Sequence, residues 1–307
     1  MITTSVSEGA ASRPAMVADP APVISLEQYY SEAGPDYAAW SREFNMHFGY
    51  YCAGANPFNR EAMLEQMNAE VLARLELDGI GDARLLDLGC GLGATLRSFA
   101  RRLPKGRLFG VTRVPWQVQQ ARALNSAAGC GERVCVMEGD YEDIALPDSS
   151  YDGVYALESS CHARGADKGV LLGEAHRLLR PGGRIVVADG FLTSGRFVSG
   201  LQRRIYRKLC ECWVISELAQ LQLFTARLKE LGFGDITIEH LQMRVAPSVA
   251  HIPWVTLKFL ATDVLFGPRA MTRARWNNLL APVLLPLVSA PIGPVTYCMI
   301  SATKIQP

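Results

Sequence analysis

Residues 84–94 read Arg-Leu-Leu-Asp-Leu-Gly-Cys-Gly-Leu-Gly-Ala, a short apolar run that passes at once into a glycine loop. A run of that length without a turn residue is a strand, and one apolar on nearly every position is covered on both faces, as in a parallel sheet. Gly89, Gly91 and Gly93 supply the turn and a close backbone approach to a ligand, and Ala94 opens a helical pattern. Strand, glycine loop and helix begin a doubly wound α/β unit, in which ligands lie at the carboxyl ends of the strands.

Working outward, the same alternation repeats. Strands are expected at Arg107–Thr112, Val134–Glu138, Tyr151–Ala156, Arg184–Asp189, Asp235–His240 and Thr296–Thr303. Helices are expected at Ala94–Leu103, Trp116–Ala128 and Asp167–Leu179, the last stopped by Arg180-Pro181-Gly182-Gly183. Upstream, a short aromatic helix (Leu26–Tyr37) and a longer one (Asn59–Glu76, with Asn59 as its cap) read as a helical cap over residues 25–80. The expectation is an α/β, Rossmann-like, doubly wound and mostly parallel seven-stranded sheet, its core at residues 81–241 with a helical lid element at about 195–220. An apolar lid insertion (242–295) and a final strand with the carboxyl terminus (296–307) follow, and residues 1–24 read as a disordered Ala/Ser/Pro-rich tail.

Composition narrows the function. Of 307 residues 49% are apolar and 20% charged, and the net charge is +1, so no global field exists to hold a polyanion and nucleic acid is not an expected partner. Eight scattered cysteines fit neither a disulfide framework nor metal-ligand spacing; they read as reduced thiols of a cytoplasmic protein that needs no metal. Leu279–Ile300 is uncharged and long enough to span a bilayer by count, but Pro282, Pro286, Pro291 and Pro294 would break such a helix, so it reads as a buried lid segment rather than a transmembrane one. The lid holds Trp254, Phe259, Phe266 and Trp276 with few charges, which suits a lipophilic small molecule; a membrane surface or a homodimer interface would use the same composition.

The glycine loop by spacing alone is ambiguous. Gly89, Gly91 and Ala94 satisfy the dinucleotide pattern, so an NADP-dependent oxidoreductase is an alternative, with Arg113 reading the 2′-phosphate. Against it stand Asp87, a carboxylate where a pyrophosphate would sit, and Thr112, where an acidic ribose ligand is usual. Leu85–Gly93 (LLDLGCGLG) resembles the first motif of class I S-adenosylmethionine-dependent methyltransferases, and the likeness extends over most of residues 26–240. Val111–Gln117 resembles the G-[IV]-T-L-S-x-x-Q element of the tocopherol, sterol and cyclopropane-fatty-acid methyltransferase subgroup, although Arg113 and Val114 replace its Leu and Ser. Gly139-Asp140-Tyr141, Glu158-Ser159-Ser160-Cys161-His162 and Leu178–Gly183 resemble further elements of that family, in the family's order.

The resemblance implies S-adenosylmethionine as cofactor. Asp87, Gly89, Cys90, Gly91 and Gly93 would hold its aminocarboxypropyl part, Thr112 and Gln117 the ribose, and Asp140 with Tyr141 the adenine, with Tyr30 closing over the methionine end. A non-catalytic module would bind the cofactor without turnover, and a cyclopropane-type lipid synthase is a nearer alternative. His162 is a candidate base for a hydroxyl or nitrogen acceptor, and Glu158 a second one that would also serve a carbocation. His47 and Tyr50, in a segment resembling the family's H-x-G-[YW], and the lid residues Trp254 and Phe259 are candidate substrate contacts. Arg203, Arg204, Arg207 and Lys208 recur at helical spacing, as a solvated face or a diphosphate site.

Overall fold

The computed structural model describes residues 24–193 and 197–305, so the expected tail lies outside the described residues but for Ile24. In chain order the elements are α1 (Leu26–Ala33), a 3-10 turn (Gly34–Ala39), α2 (Arg60–Arg74), β1 (Arg84–Leu88), α3 (Ala94–Arg102), β2 (Arg107–Thr112), α4 (Pro115–Ala127), β3 (Val134–Glu138), β4 (Tyr151–Leu157), α5 (Gly169–Leu178), β5 (Leu179–Leu192), α6 (Gly200–Cys212), β6 (Ala219–Gln220), α7 (Leu221–Glu230), β7 (Phe233–His240), α8 (Gln242–Val249), α9 (Ile252–Phe259), α10 (Arg273–Val288) and β8 (Val295–Lys304). The sheet order is β3-β2-β1-β4-β5-β8-β7, with β6 paired to β5. Strands β1 to β5 are parallel, and β8 runs antiparallel to both neighbours. The eighth strand, absent from the sequence reading, is the two-residue β6, too short to show a period.

Side-chain alternation along β1 divides the core into two layers. Leu85 packs with Met67 and Val71 of α2 and Leu96 and Phe99 of α3. Leu86 and Leu88 pack on the other face with Leu171 and Leu172 of α5 and Phe224 and Leu228 of α7. The strand order reverses between β1 and β4, which opens a crevice above their carboxyl ends.

Three expectations are corrected. The Leu26–Tyr37 helix ends as an α-helix at Ala33: Gly34 keeps helical backbone (φ −54°, ψ −44°) and its N–H reaches Tyr30 O, but Pro35 has no N–H to extend the ladder, and the chain continues as a 3-10 turn. Strand β5 begins at Leu179 rather than Arg184, taking in Pro181-Gly182-Gly183 with a register shift against β4. Pro282 and Pro286 do not break the chain there: both lie inside α10, which gives up their two N–H donors. The inner face of α10, through Ala281, Leu284, Leu285 and Val288, packs on Tyr206, Leu209 and Cys210 of α6 and holds the helix together. At 16 residues α10 is about 24 Å long, and among the described residues no helix is long and apolar enough to cross a membrane.

The 242–295 segment forms wall as well as lid. Its first helix is tied to the cap, the Tyr51 N–H donating to Arg244 O (2.8 Å) and the Gly49 N–H to Ser248 Oγ (2.8 Å). Its last helix is tied to the 3-10 turn by Arg275, which is buried and donates to both carboxylate oxygens of Asp36 (2.7 and 3.1 Å).

Candidate active site

At the end of β1 the chain turns through Gly89 (φ 97°), Gly91 (φ 50°) and Gly93 (φ 73°), backbone that glycine adopts without strain. A Cβ on Gly89 would stand 2.4 Å from Ser159 Cβ, and one on Gly91 would lie 3.1 Å from Met46 Sδ. The loop therefore forms a cradle that side chains would fill. Asp87 lies beneath it, 3% exposed and in no ion pair among the described residues. Burial pushes its carboxyl up to about 8, and the neighbouring Tyr155 hydroxyl lowers it only in part. A buried carboxyl without a cation, under a backbone cradle, fits a ligand that brings positive charge and repels a pyrophosphate.

The narrow cavity over this loop is lined by Asp87, Gly89, Cys90, Gly91, Thr112, Gln117 and Tyr141 among others, bringing together most of the expected cofactor set. Thr112 Oγ1 donates to Gln117 Oε1 (2.5 Å), and both side chains are buried, which removes a solvated role for Gln117 and leaves its amide N–H groups for a ligand. The Tyr141 hydroxyl donates to Ser159 O (2.9 Å), holding its ring in the wall. Cys90 turns its sulfur toward Gly110 of β2. Gly93 caps α3 and falls outside the wall. Asp140 also falls outside it: its Oδ1 accepts from the Glu142 N–H (2.9 Å) and its Oδ2 faces Arg113 (3.7 Å). Arg113, the residue an NADP phosphate would require, lines the rim of this cavity with Asp140 as its neighbour.

A second cavity, about 480 Å³, adjoins the first, and Tyr30, Met46, His47, Glu158 and His162 line both. Glu158 follows the end of β4 with φ 51°, left-handed backbone that costs a non-glycine residue about 1–2 kcal/mol and is held by its contacts. Its Oε1 accepts from the Phe48 N–H (2.7 Å) and the Tyr297 hydroxyl (2.8 Å). Burial pushes this carboxyl up to about 8 against those two donors, with the Asp189 charge adding to the rise. His162 sits in the 3-10 turn Ser160–His162, its Nδ1 facing Val214 O at 3.4 Å; assigning the proton there leaves Nε2 to accept from the Tyr30 hydroxyl (3.1 Å). Burial pushes the imidazole down to about 4, so it is neutral at ordinary pH. Asp189 anchors the turn, its Oδ2 accepting from Ser160 Oγ (2.7 Å) and the Cys161 N–H (2.9 Å).

Other expected contacts lie elsewhere. His47 forms part of the wall, but its Nδ1 meets Phe48 O (2.9 Å) and its Nε2 meets Asn45 and Asn68 (both 3.1 Å), so it organises the loop that presents the Phe48 N–H. Tyr50 packs in the core outside both cavities, with Arg244 over its ring, and Trp254 is 66% exposed and lines neither. Phe259 does line the large cavity. No Lys or Arg lines that cavity among the described residues, so Arg203, Arg204, Arg207 and Lys208 hold no diphosphate in it. Sequence reasoning missed Tyr297 and Asp189. Tyr297 enters because the antiparallel register sets it opposite Gly190, one residue from Asp189, and an isolated strand carries no signal of that pairing.

Residues 85–183 match the family model described as "Methyltransferase domain". The methyltransferase phqN of Penicillium fellutanum is 30% identical over 201 residues, covering 61% of this chain and 60% of that protein. The 24-methylenesterol C-methyltransferase 2 of Oryza sativa subsp. japonica is 34% identical over 52% of this chain and 42% of its own length. The chain thus spans less than two thirds of the length of either relative. Among solved structures, the cyclopropane synthase MmaA2 of Mycobacterium tuberculosis superposes with a TM-score of 0.76 at 14% identity, over 91% of this chain and 97% of that one, a likeness of fold.

Proposed function

We propose that this chain, whose residues 85–183 are a methyltransferase domain, is an S-adenosylmethionine-dependent methyltransferase acting on a lipophilic small molecule. The observation that carries the reading is the wall shared by the two cavities, where a donor over the glycine loop and an acceptor in the apolar cavity meet. S-adenosylmethionine, when bound, supplies a methyl group on a sulfonium sulfur. Asp87 and the Gly89–Gly91 cradle hold its charged end, and Thr112, Gln117 and Tyr141 hold the nucleoside; Cys90 contributes backbone, while Gly93 and Asp140 support the loop and rim.

The acceptor cavity sets what can be methylated. Its polar groups near the shared wall are carboxyls, hydroxyls and neutral imidazoles, and its walls include Tyr37, Trp40, Phe48, Trp213 and Phe259. With no cation to pair it, a phosphorylated acceptor is disfavoured; a neutral acceptor, or one that carries or develops positive charge, is favoured. Isoprenoid, sterol-like and prenylated molecules meet that description. Glu158 takes the proton the acceptor gives up, and the walls align the reacting atom and exclude water. Tyr30 and His162 close the wall as a hydrogen-bonded pair. The eight free thiols fit a reducing, cytoplasmic setting.

The test is incubation of the protein with S-adenosylmethionine and a panel of neutral, amine and phosphorylated lipophilic acceptors, followed by mass. A gain of one methyl on a neutral or amine acceptor supports the reading; methylation confined to phosphorylated acceptors contradicts it.

A further inference from the structure

The buried face of α2 is made of Met63, Leu64, Met67, Asn68 and Val71, and Asn68 is its one polar member, 0% exposed. An amide shut away from water is costly unless both its ends are hydrogen-bonded, so its partners show which parts of the chain it organises. Asn68 Nδ2 donates to Asn45 Oδ1 (3.1 Å) and Glu65 Oε2 (3.3 Å), and Asn68 Oδ1 accepts from Thr95 Oγ1 (2.9 Å). The Glu65 carboxylate, paired with Arg102, has no proton to give, so the amide has a single orientation and turns its oxygen to His47 Nε2 (3.1 Å). The imidazole spans from there to Phe48 O, 2.9 Å from Nδ1. One amide of α2 thus holds residues 45 and 47 of the cap loop at once, and the N–H of the next residue, Phe48, is the one that donates to Glu158 Oε1 (2.7 Å).

We propose that Asn68 is a positioning residue for Glu158, acting through His47 to fix the cap loop so that the Phe48 N–H meets the carboxylate. Residues 45–50 belong to no helix or strand, so no backbone ladder holds Phe48 in place and side chains must do so. The Thr95 bond extends the frame to the first turn of α3, directly after the glycine loop, and Thr95 lines the cofactor cavity. Cradle and carboxyl are therefore tied through one buried amide. A hydrogen bond to the charged form favours that form, so loss of the Phe48 N–H would raise the pH at which Glu158 ionises. The other groups that bear on this carboxyl are the Tyr297 hydroxyl of β8, the Asp189 carboxyl of β5, the Cys161 thiol of the Ser160–His162 turn and the Tyr37 hydroxyl of the cap. Asn68 bonds to none of them, so its effect is separable from theirs. The service rendered, orienting a base, rests on the proposed function; the positioning itself does not.

The experiment follows the ionisation of Glu158 itself and needs no acceptor. The full chain is labelled with carbon-13 at the glutamate side-chain carboxyl, the Glu158 resonance is identified by its absence in Glu158→Gln, and its midpoint is measured by pH titration in wild type, Asn68→Leu, His47→Phe and Asn59→Ala. His47→Phe keeps a ring in the wall without either nitrogen, and serves if Asn68→Leu does not fold. Asn59→Ala removes the cap of the same helix, whose Oδ1 accepts from the Ala62 N–H (3.1 Å), and weakens α2 without touching the loop. Melting temperature and S-adenosylmethionine binding are measured on each. The midpoint, about 8 in wild type, should rise by about one pH unit in Asn68→Leu and in His47→Phe, a roughly tenfold fall in the ionised fraction at neutral pH, and stay in place in Asn59→Ala although that variant also melts lower. A midpoint that a folded Asn68→Leu or His47→Phe chain leaves unmoved, or one that Asn59→Ala moves as far, overturns the proposal. Failure of the methyltransferase reading would appear instead as absent S-adenosylmethionine binding by wild type, which does not enter the titration.

Discussion

Glu158 and Asp87 are the residues on which the chemistry turns, and both are carboxyls that burial pushes up to about 8. A base must be ionised to accept a proton, so kcat should rise with pH and level off above about 8. Glu158→Gln should abolish that limb and lower kcat by about 10²–10⁴-fold with cofactor affinity little changed. His162 is held down to about 4 and stays neutral over the same range, so it contributes no limb of its own. A profile that keeps its limb in the Glu158 variant would transfer the role of base elsewhere. For Asp87 the partner is a cation: S-adenosylmethionine should bind about tenfold more tightly per pH unit up to about 8, and Asp87→Asn should weaken binding and flatten that dependence, read by calorimetry across pH. Asp87 was legible from its place before the glycines. The strained backbone of Glu158 and its Tyr297 partner were not, because both depend on which strands become neighbours.

The glycine loop and the cap-to-lid ties are the elements that set the geometry. Gly89→Ala would force a Cβ into Ser159 on left-handed backbone, and a loss of about 2–4 kcal/mol of stability is expected, with cofactor binding lost alongside, measured by denaturant unfolding and calorimetry. The Asp36–Arg275 contact is a buried pair whose partial removal strands a charge. Asp36→Asn should cost about 3–5 kcal/mol and lower the melting temperature by several degrees; a variant as stable as wild type would show that this tie does not hold cap to lid. At this scale β1, β2 and β3 were legible to the residue: β1 and β2 lie inside the sheet and read as short apolar runs bounded by turn residues, and β3, the edge strand, reads from the alternation that turns Val134 and Val136 inward. The lid was not. Its prolines argue for a broken chain, and only packing on α6, remote in sequence, keeps α10 whole.

For the whole molecule, the two raised carboxyls have a consequence in stability. Their pKa values in the folded chain exceed the unfolded ones, so they favour folding at acid pH and that contribution is lost as pH rises from about 4 to about 8. The ligand-free protein should therefore melt lower at pH 8.5 than at pH 6, and S-adenosylmethionine should restore more stability at the higher pH; a melting temperature insensitive to both would contradict the assigned burial. The architecture and the cofactor half of the site were readable because they lie within one contiguous α/β pattern. The acceptor half draws on the cap, β4, β8 and three lid helices, and no local pattern announces that convergence.

Titration calorimetry of the purified chain with S-adenosylmethionine, S-adenosylhomocysteine and NADPH tests the central claim most directly. Binding of the first two and not the third is the result predicted by a buried, unpaired Asp87 beneath the glycine cradle; binding of NADPH alone would contradict it.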